Sequence, residues 1–224
     1  MLNRTILIKI LAFFVMLVFS GCSDVGTTFT DNTGIEWRIL TIDKNGNKLI
    51  ITESAFGPVQ YNSTNVYTRL GDSDVLRPAL NEWFVYELAS ELKERALPAM
   101  NLDNDVRLSP SSNVDERLRE NSSEGLTYAG EGEATAENSL FVLSLSEVNQ
   151  YNRAGEFLGG MMGFFGRNER LGVGWLRSPG VSYKSPNLQT LVGEHHDTDG
   201  PLITPATADY YGYFRPALWV SPDS

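Results

Sequence analysis

The pattern of apolar and polar positions in residues 36–52 predicts a β-hairpin. Residues 36–41 and 48–52 are rich in side chains that favour strands, and they flank the polar segment 43–47. Within that segment, Asn45 and Gly46 suit a tight turn, because glycine adopts a positive φ without strain. We therefore expect the folded domain to open with this hairpin.

A second pattern, with the period of an α-helix, covers residues 74–96. Pro78 is compatible with a helix there only near the helix start. The large apolar residues recur at spacings of three and four: Leu76, Leu80, Trp83, Phe84, Leu88 and Leu92. This spacing predicts one main amphipathic helix that packs against the sheet.

The rest of the chain combines one polar insertion with scattered apolar segments. Residues 109–139 are rich in Ser, Asn, Glu and Gly, so we expect a flexible insertion there without regular structure. Residues 140–143 are expected to form a buried strand, residues 146–151 a short helical turn, and residues 173–177 and 213–220 further strands. This order predicts an α+β fold with a mixed or antiparallel sheet and long loops.

The start of the chain has the layout of a bacterial lipoprotein signal. Arg4 and Lys9 accompany a wholly apolar run over residues 10–19. A bilayer core about 30 Å thick needs roughly 20 apolar helical residues, so this run favours a cleaved signal peptide over a membrane span. Residues 19–22, Phe-Ser-Gly-Cys, resemble a lipobox, in which the cysteine is lipidated and becomes the new N-terminus. The alternative is an ordinary signal peptide with a chance cysteine at Cys22.

The lipoprotein interpretation divides the chain into three parts. Residues 1–21 are the signal peptide, residues 22–34 are the lipidated cysteine and a polar tether, and residues 35–221 form a single globular domain. Each buried methylene of an acyl chain contributes about 0.8 kcal/mol, so two or three chains would hold the protein on a membrane. The expected location is the cell membrane or outer membrane, with the domain outside the cytoplasm.

Composition restricts the partners of this domain. Hydrophobic residues make up 42% of the chain and charged residues 21%, which is typical of a folded protein. The formal charge of −10 disfavours nucleic acid and anionic lipid headgroups as partners. Cys22 is the only cysteine, so the sequence excludes an intrachain disulfide and a thiol nucleophile in the domain.

Several segments, taken in order over residues 35–220, resemble a bacterial family known as domain of unknown function 6273. The sharpest are residues 175–180, Trp-Leu-Arg-Ser-Pro-Gly, and residues 214–219, Phe-Arg-Pro-Ala-Leu-Trp. The resemblance implies no activity, since none is assigned to the family as a class. More distantly, these closing segments are similar to the last strands of C-type lectin-like domains and formylglycine-generating enzymes. That likeness implies a compact α+β fold whose long loops bind ligands, while fold analogy alone does not define a function.

The candidate ligand-binding residues are Trp175, Arg177, Arg215 and Trp219, all within the matching segments. Arg77 lies in another such segment. A guanidinium group could clamp a ligand carboxylate, or it could brace the fold by donating to main-chain carbonyls. Bracing is the interpretation that we favour for the arginines.

The candidate metal ligands are His195, His196, Asp197 and Asp199, which suit zinc or calcium. Neighbouring residues of an extended segment point to opposite sides, so at most about half of them could face one ion. The favoured alternative is a solvated loop. We therefore expect no cofactor, with calcium or zinc as the alternative.

The chain contains no G-x-S-x-G elbow, P-loop, H-E-x-x-H motif or Rossmann fingerprint, and no catalytic residue is assigned. This favours a non-enzymatic role. Three hypotheses follow: a ligand-binding module for a glycan, a peptide or a surface protein; a cell-envelope hydrolase that uses carboxylates or a metal; and a structural envelope protein.

Overall fold

Two five-stranded sheets and four short α-helices make up the described part of this protein. The computed structural model describes residues 24–66, 68–101, 126–153, 174–180, 188–193 and 202–222. Both helices and sheets are present, and the sheets are antiparallel or mixed. The α+β fold class expected from the sequence is therefore confirmed, whereas the likeness to C-type lectin-like domains stays a prediction.

The elements alternate irregularly along the chain. The strands are β1 (Thr28–Thr30), β2 (Glu36–Ile42), β3 (Lys48–Thr52), β4 (Phe56–Gln60), β5 (Ala96–Leu97), β6 (Ala99–Asn101), β7 (Thr127–Ala129), β8 (Gly174–Gly180), β9 (Leu188–Gly193), β10 (Leu202–Ala206), β11 (Tyr211–Phe214) and β12 (Ala217–Val220). The helices are α1 (Leu76–Tyr86), α2 (Ser90–Arg95), α3 (Ala136–Ser139) and α4 (Leu145–Arg153), and a 3₁₀ turn spans Leu70–Asp72.

The two large sheets share the C-terminal segment of the chain. The first sheet has the order β1-β2-β3-β12-β5 and is antiparallel throughout. The second has the order β10-β9-β8-β11-β4, and only β8 and β11 run parallel in it. Strands β6 and β7 form a separate pair. Because β11 and β12 belong to different sheets, the last described strands join the two.

The predicted opening hairpin is confirmed by β2 and β3. Its turn uses Gly46 at a φ of 84°, and the Asp43 carboxylate accepts hydrogen bonds from two main-chain N–H groups of the turn. Strand β1 pairs with the outer edge of β2, within residues 22–34 that were predicted to be a tether. The predicted domain boundary at residue 35 therefore lies inside the first sheet.

The predicted helix over residues 74–96 is interrupted near its middle. The main helix, α1, ends at Tyr86. Beyond that end, the Trp83 carbonyl accepts hydrogen bonds from the N–H groups of Glu87 and Leu88. Ala89 then takes an extended conformation, and α2 begins at the next residue. Both Leu88 and Ala89 are buried, so the turn places two more side chains in the core.

Two other predicted segments differ from the structure. Residues 126–139, the end of the predicted flexible insertion, contain β7 and α3, and the remainder of that insertion lies outside the described residues. The predicted strand over residues 213–220 divides at Pro216 into β11 and β12. Proline has no N–H to donate to a ladder, and its carbonyl accepts from Thr52 N at 3.1 Å. The chain can therefore cross between the sheets at this point.

A buried carboxylate ties the first turn of the domain to the core. Asp31 accepts hydrogen bonds from Thr33 N, Thr33 Oγ1 and Ile35 N at 2.7–3.0 Å. Its second oxygen accepts from Nε1 of the fully buried Trp37 at 2.8 Å. Burial alone would raise the pKa of Asp31, but the hydrogen bonds outweigh burial and hold this pKa below its ordinary value.

Asp31→Asn should therefore lower stability in a pH-dependent way. In either orientation the amide would place its NH2 group against an N–H donor, that of Trp37 or those of Thr33 and Ile35, and losing a hydrogen bond to a charged group costs about 1.5–3 kcal/mol. Because the pKa of Asp31 is lower in the folded protein, its stabilisation is complete above the unfolded pKa of about 4 and is lost as the pH falls through the folded value. Urea unfolding between about pH 6 and pH 3 measures the free energy of unfolding of both proteins. The difference between the variant and wild type should become smaller below about pH 4. A difference in the free energy of unfolding that stays constant with pH would contradict this prediction. Asp72→Asn, which makes the same change at an exposed position, is the control.

Candidate functional site

The four predicted ligand-binding side chains all lie inside the protein. Trp175, Arg177, Arg215 and Trp219 are only 2–3% exposed. The indole N–H of Trp175 donates to the Val59 carbonyl at 2.8 Å. In this arrangement the four side chains belong to the core, and their role in ligand binding stays a prediction.

Two of the arginines brace the buried segment 140–143. Each carbonyl of this segment accepts a hydrogen bond, in order from Arg77 Nη1, Ala217 N, Arg177 Nη1 and Arg177 N, at 2.8–3.1 Å. The segment is extended and buried, but its one β-bridge is that of Phe141 with Ala217 among the described residues. The predicted buried strand is therefore wrong: the segment is extended, but arginine side chains satisfy two of its four carbonyls and main-chain N–H groups of Ala217 and Arg177 satisfy the other two. These contacts have the form of the bracing favoured from the sequence.

A buried ion pair joins Arg177 to Glu147. Arg177 Nη1 lies 2.5 Å from Glu147 Oε2, and the two side chains are 2% and 0% exposed. Glu147 Oε2 also accepts from Ser144 N at 2.8 Å, and Oε1 accepts from Thr127 N and Oγ1 at 2.7 and 2.8 Å. One carboxylate thus holds β7, β8 and the start of α4 together.

Arg215 makes a third internal brace. Its Nε donates to the Thr52 carbonyl at 2.5 Å, and its Nη2 lies 3.6 Å from Glu53 Oε1. Glu53 also accepts two hydrogen bonds from Arg38, at 2.6 and 2.9 Å. Burial lowers the pKa of Arg215 to about 10, an effect that Glu53 opposes and Arg38 increases. The guanidinium therefore stays charged at neutral pH.

The predicted metal ligands and the predicted lipidation site lie outside the part of the chain that the structure describes. His195, His196, Asp197 and Asp199 lie outside the described residues, as does Cys22. The described ranges contain no group of three or more His, Cys, Asp or Glu side chains arranged to hold a metal. Within the same ranges, every helix is too short or too polar to cross a bilayer.

A concave surface lies between α1 and the edge strand β4, and we call it the α1–β4 groove. Its volume is about 670 Å³, within the range of small-molecule sites. Four aromatic rings and two carboxylates line it, from Phe56, Trp83, Tyr86, Phe214, Glu82 and Glu87. The groove thus combines apolar contact area with fixed negative charge.

The groove follows from the spacing of residues on α1. Ala79, Glu82, Trp83 and Tyr86 are spaced by three or four positions, so they form one stripe on the helix surface. Trp83 is buried and Tyr86 is 75% exposed, so they form the floor and the rim. The Phe56 ring packs against Trp83 with the ring centroids 5.1 Å apart. The small side chain of Ala79 leaves the space between helix and strand open.

A second, smaller pocket of about 290 Å³ lies between the first sheet and α2. It is mostly apolar, with Lys48 and Arg95 as its charged residues. Lys48 Nζ already contacts Asp24 at 3.0 Å, and Arg95 donates twice to the Ser221 carbonyl. The α1–β4 groove, whose carboxylates have no such contacts among the described residues, is the better candidate site.

No protein-family model, curated protein or solved structure matches this chain. The resemblance to domain of unknown function 6273 therefore stays a prediction. Glu82 and Tyr86 are not among the site residues predicted from the sequence. Glu82 lies three positions after Ala79, and Tyr86 three positions after Trp83, a spacing that could have indicated a shared helix face. Trp83 also belongs to the buried face of α1, with Leu76 and Leu80, so the same spacing equally predicts core packing.

Proposed function

We propose that this protein is a lipid-anchored binding module outside the cytoplasm and that its ligand site is the α1–β4 groove. The groove itself carries the proposal, since it is open, aromatic and acidic, and its carboxylates make no ion pair in the described ranges. The lack of a catalytic signature favours binding over catalysis. The lipobox at Cys22 supports an anchor in the cell membrane or outer membrane. A glycan, a peptide and a surface protein are the candidate ligands.

Filling the groove should abolish binding without unfolding the protein. Ala79→Leu adds three carbons where the helix faces β4, and leucine is almost as good a helix former as alanine. We expect at least a tenfold loss of affinity for any glycan or peptide that the full chain, purified in a non-ionic detergent, captures on arrays. Circular dichroism should show an unchanged fold.

Ala134→Leu is the matched control, because Ala134 is another half-buried alanine that does not line the groove. This variant should bind as the wild type does. Equal binding by Ala79→Leu and wild type would place the ligand elsewhere on the protein. Reproducible failure of the wild type to capture any ligand would count against the binding module as a whole.

A further inference from the structure

The charged residues that line the α1–β4 groove all have one sign, while outside that lining Lys93 Nζ donates to the Val85 carbonyl of α1 at 2.7 Å. Glu82 and Glu87 are exposed, and neither side chain makes an ion pair or hydrogen bond with another described residue. No Lys, Arg or His is among the residues that line the groove. Two exposed carboxylates, one on α1 and one on the first residue beyond its end, attract a positive group and disfavour an anion.

The aromatic rings of the groove favour the same ligand charge. The face of a Trp, Tyr or Phe ring is negative, and it attracts an ammonium or guanidinium group within about 6 Å of the ring centre. Tyr86 at the rim and the half-buried Phe56 at the wall are both accessible in part. Carboxylates and rings therefore act together on a cation, although they attract it by different physical effects.

The surroundings of the groove indicate that this cation belongs to a polypeptide. A volume of about 670 Å³ is more than one ammonium group fills. At the rim, Tyr86 is 75% exposed, and its apolar ring suits the residues that flank a basic side chain. Pro58 in the edge strand β4 has no N–H to donate, which disfavours a ligand that extends the sheet.

We infer that the α1–β4 groove binds a lysine or arginine side chain of a polypeptide partner, with apolar residues on either side of it. This inference rests on the proposed function and names the ligand class of the same site. The partner is held by the two carboxylates and the ring faces, and its flanking residues cover Tyr86. The formal charge of −10 on the whole chain also favours encounter with a basic partner.

Fluorescence anisotropy with three labelled peptides tests this inference. The peptides are identical leucine-flanked heptamers with a central lysine, arginine or Nε-acetyl-lysine, and the protein is the full chain in a non-ionic detergent. We expect the lysine and arginine peptides to bind at least tenfold more tightly than the acetyl-lysine peptide. Their affinity should fall as salt increases, because exposed charges are screened.

Paired carboxylate variants provide the matched comparison. The double variant Glu82→Gln with Glu87→Gln should weaken the lysine peptide about tenfold. The double variant Glu131→Gln with Glu133→Gln removes the same charge at exposed positions away from the groove, and it should leave the affinity within about twofold of wild type. Equal losses in both would show an effect of net charge alone and would overturn the inference.

Other outcomes separate this inference from the proposed function. If the acetyl-lysine peptide binds as tightly as the lysine peptide, the groove does not select a cation. If butylammonium alone binds as tightly as the lysine peptide, the polypeptide source is wrong. If a glycan binds and Ala79→Leu abolishes its binding while no peptide binds, the inference fails and the binding module stands.

Discussion

Glu147→Gln is expected to destabilise the fold by about 3–5 kcal/mol, the cost of removing one partner from a buried ion pair. Arg177 would keep its charge at a position that is 2% exposed and would lose the carboxylate 2.5 Å away. The new amide would also direct N–H groups at donors, because the Glu147 oxygens accept from Thr127 and Ser144 as well. Urea unfolding followed by tryptophan fluorescence measures the loss directly.

The matched control for this variant is Glu82→Gln, which makes the same change at an exposed position. Its stability should stay within about 0.5 kcal/mol of wild type. Adding Arg177→Met to Glu147→Gln should recover part of the loss, since it removes the uncompensated charge. If Glu147→Gln unfolds at the same urea concentration as wild type, the buried pair contributes nothing and this account of the core is wrong.

Cys22→Ala is expected to end stable membrane retention of the processed protein. The apolar run over residues 10–19 provides about half of the roughly 20 residues that a spanning helix needs, so retention after cleavage depends on the acyl chains. The domain should remain folded, because Cys22 precedes β1, the first strand of the sheet, in the sequence. The variant should accumulate as released protein or as an uncleaved precursor.

Metabolic labelling with a palmitate analogue, followed by detergent phase partitioning, distinguishes these states. Wild type should carry the label and enter the detergent phase, whereas Cys22→Ala should be unlabelled. A Ser23→Ala variant, altered next to the proposed acylation site, should behave as the wild type does. Equal membrane retention of cleaved, unlabelled wild type and Cys22→Ala would contradict the lipid anchor.

Local patterns in the sequence determined the fold class and the first hairpin. The strand-favouring residues in 36–52, the Asn45-Gly46 turn and the helical spacing in α1 each depend on residues close together in the chain, and the structure contains the corresponding hairpin, turn and helix. The same spacing could not locate the break after Tyr86. That break depends on burying Leu88 and Ala89 against other elements, and the packing energy of those contacts outweighs helix propensity.

The tertiary structure alone decided the roles of the arginines and the position of the candidate site. Arg177 and Glu147 are 30 residues apart, and Arg215 and Thr52 are 163 apart, so no local pattern reveals either contact. The α1–β4 groove likewise exists only because the fold brings Phe214 and β4 beside α1. A short-range pattern records which face of an element is apolar, whereas a site formed by distant segments depends on how those faces pack together.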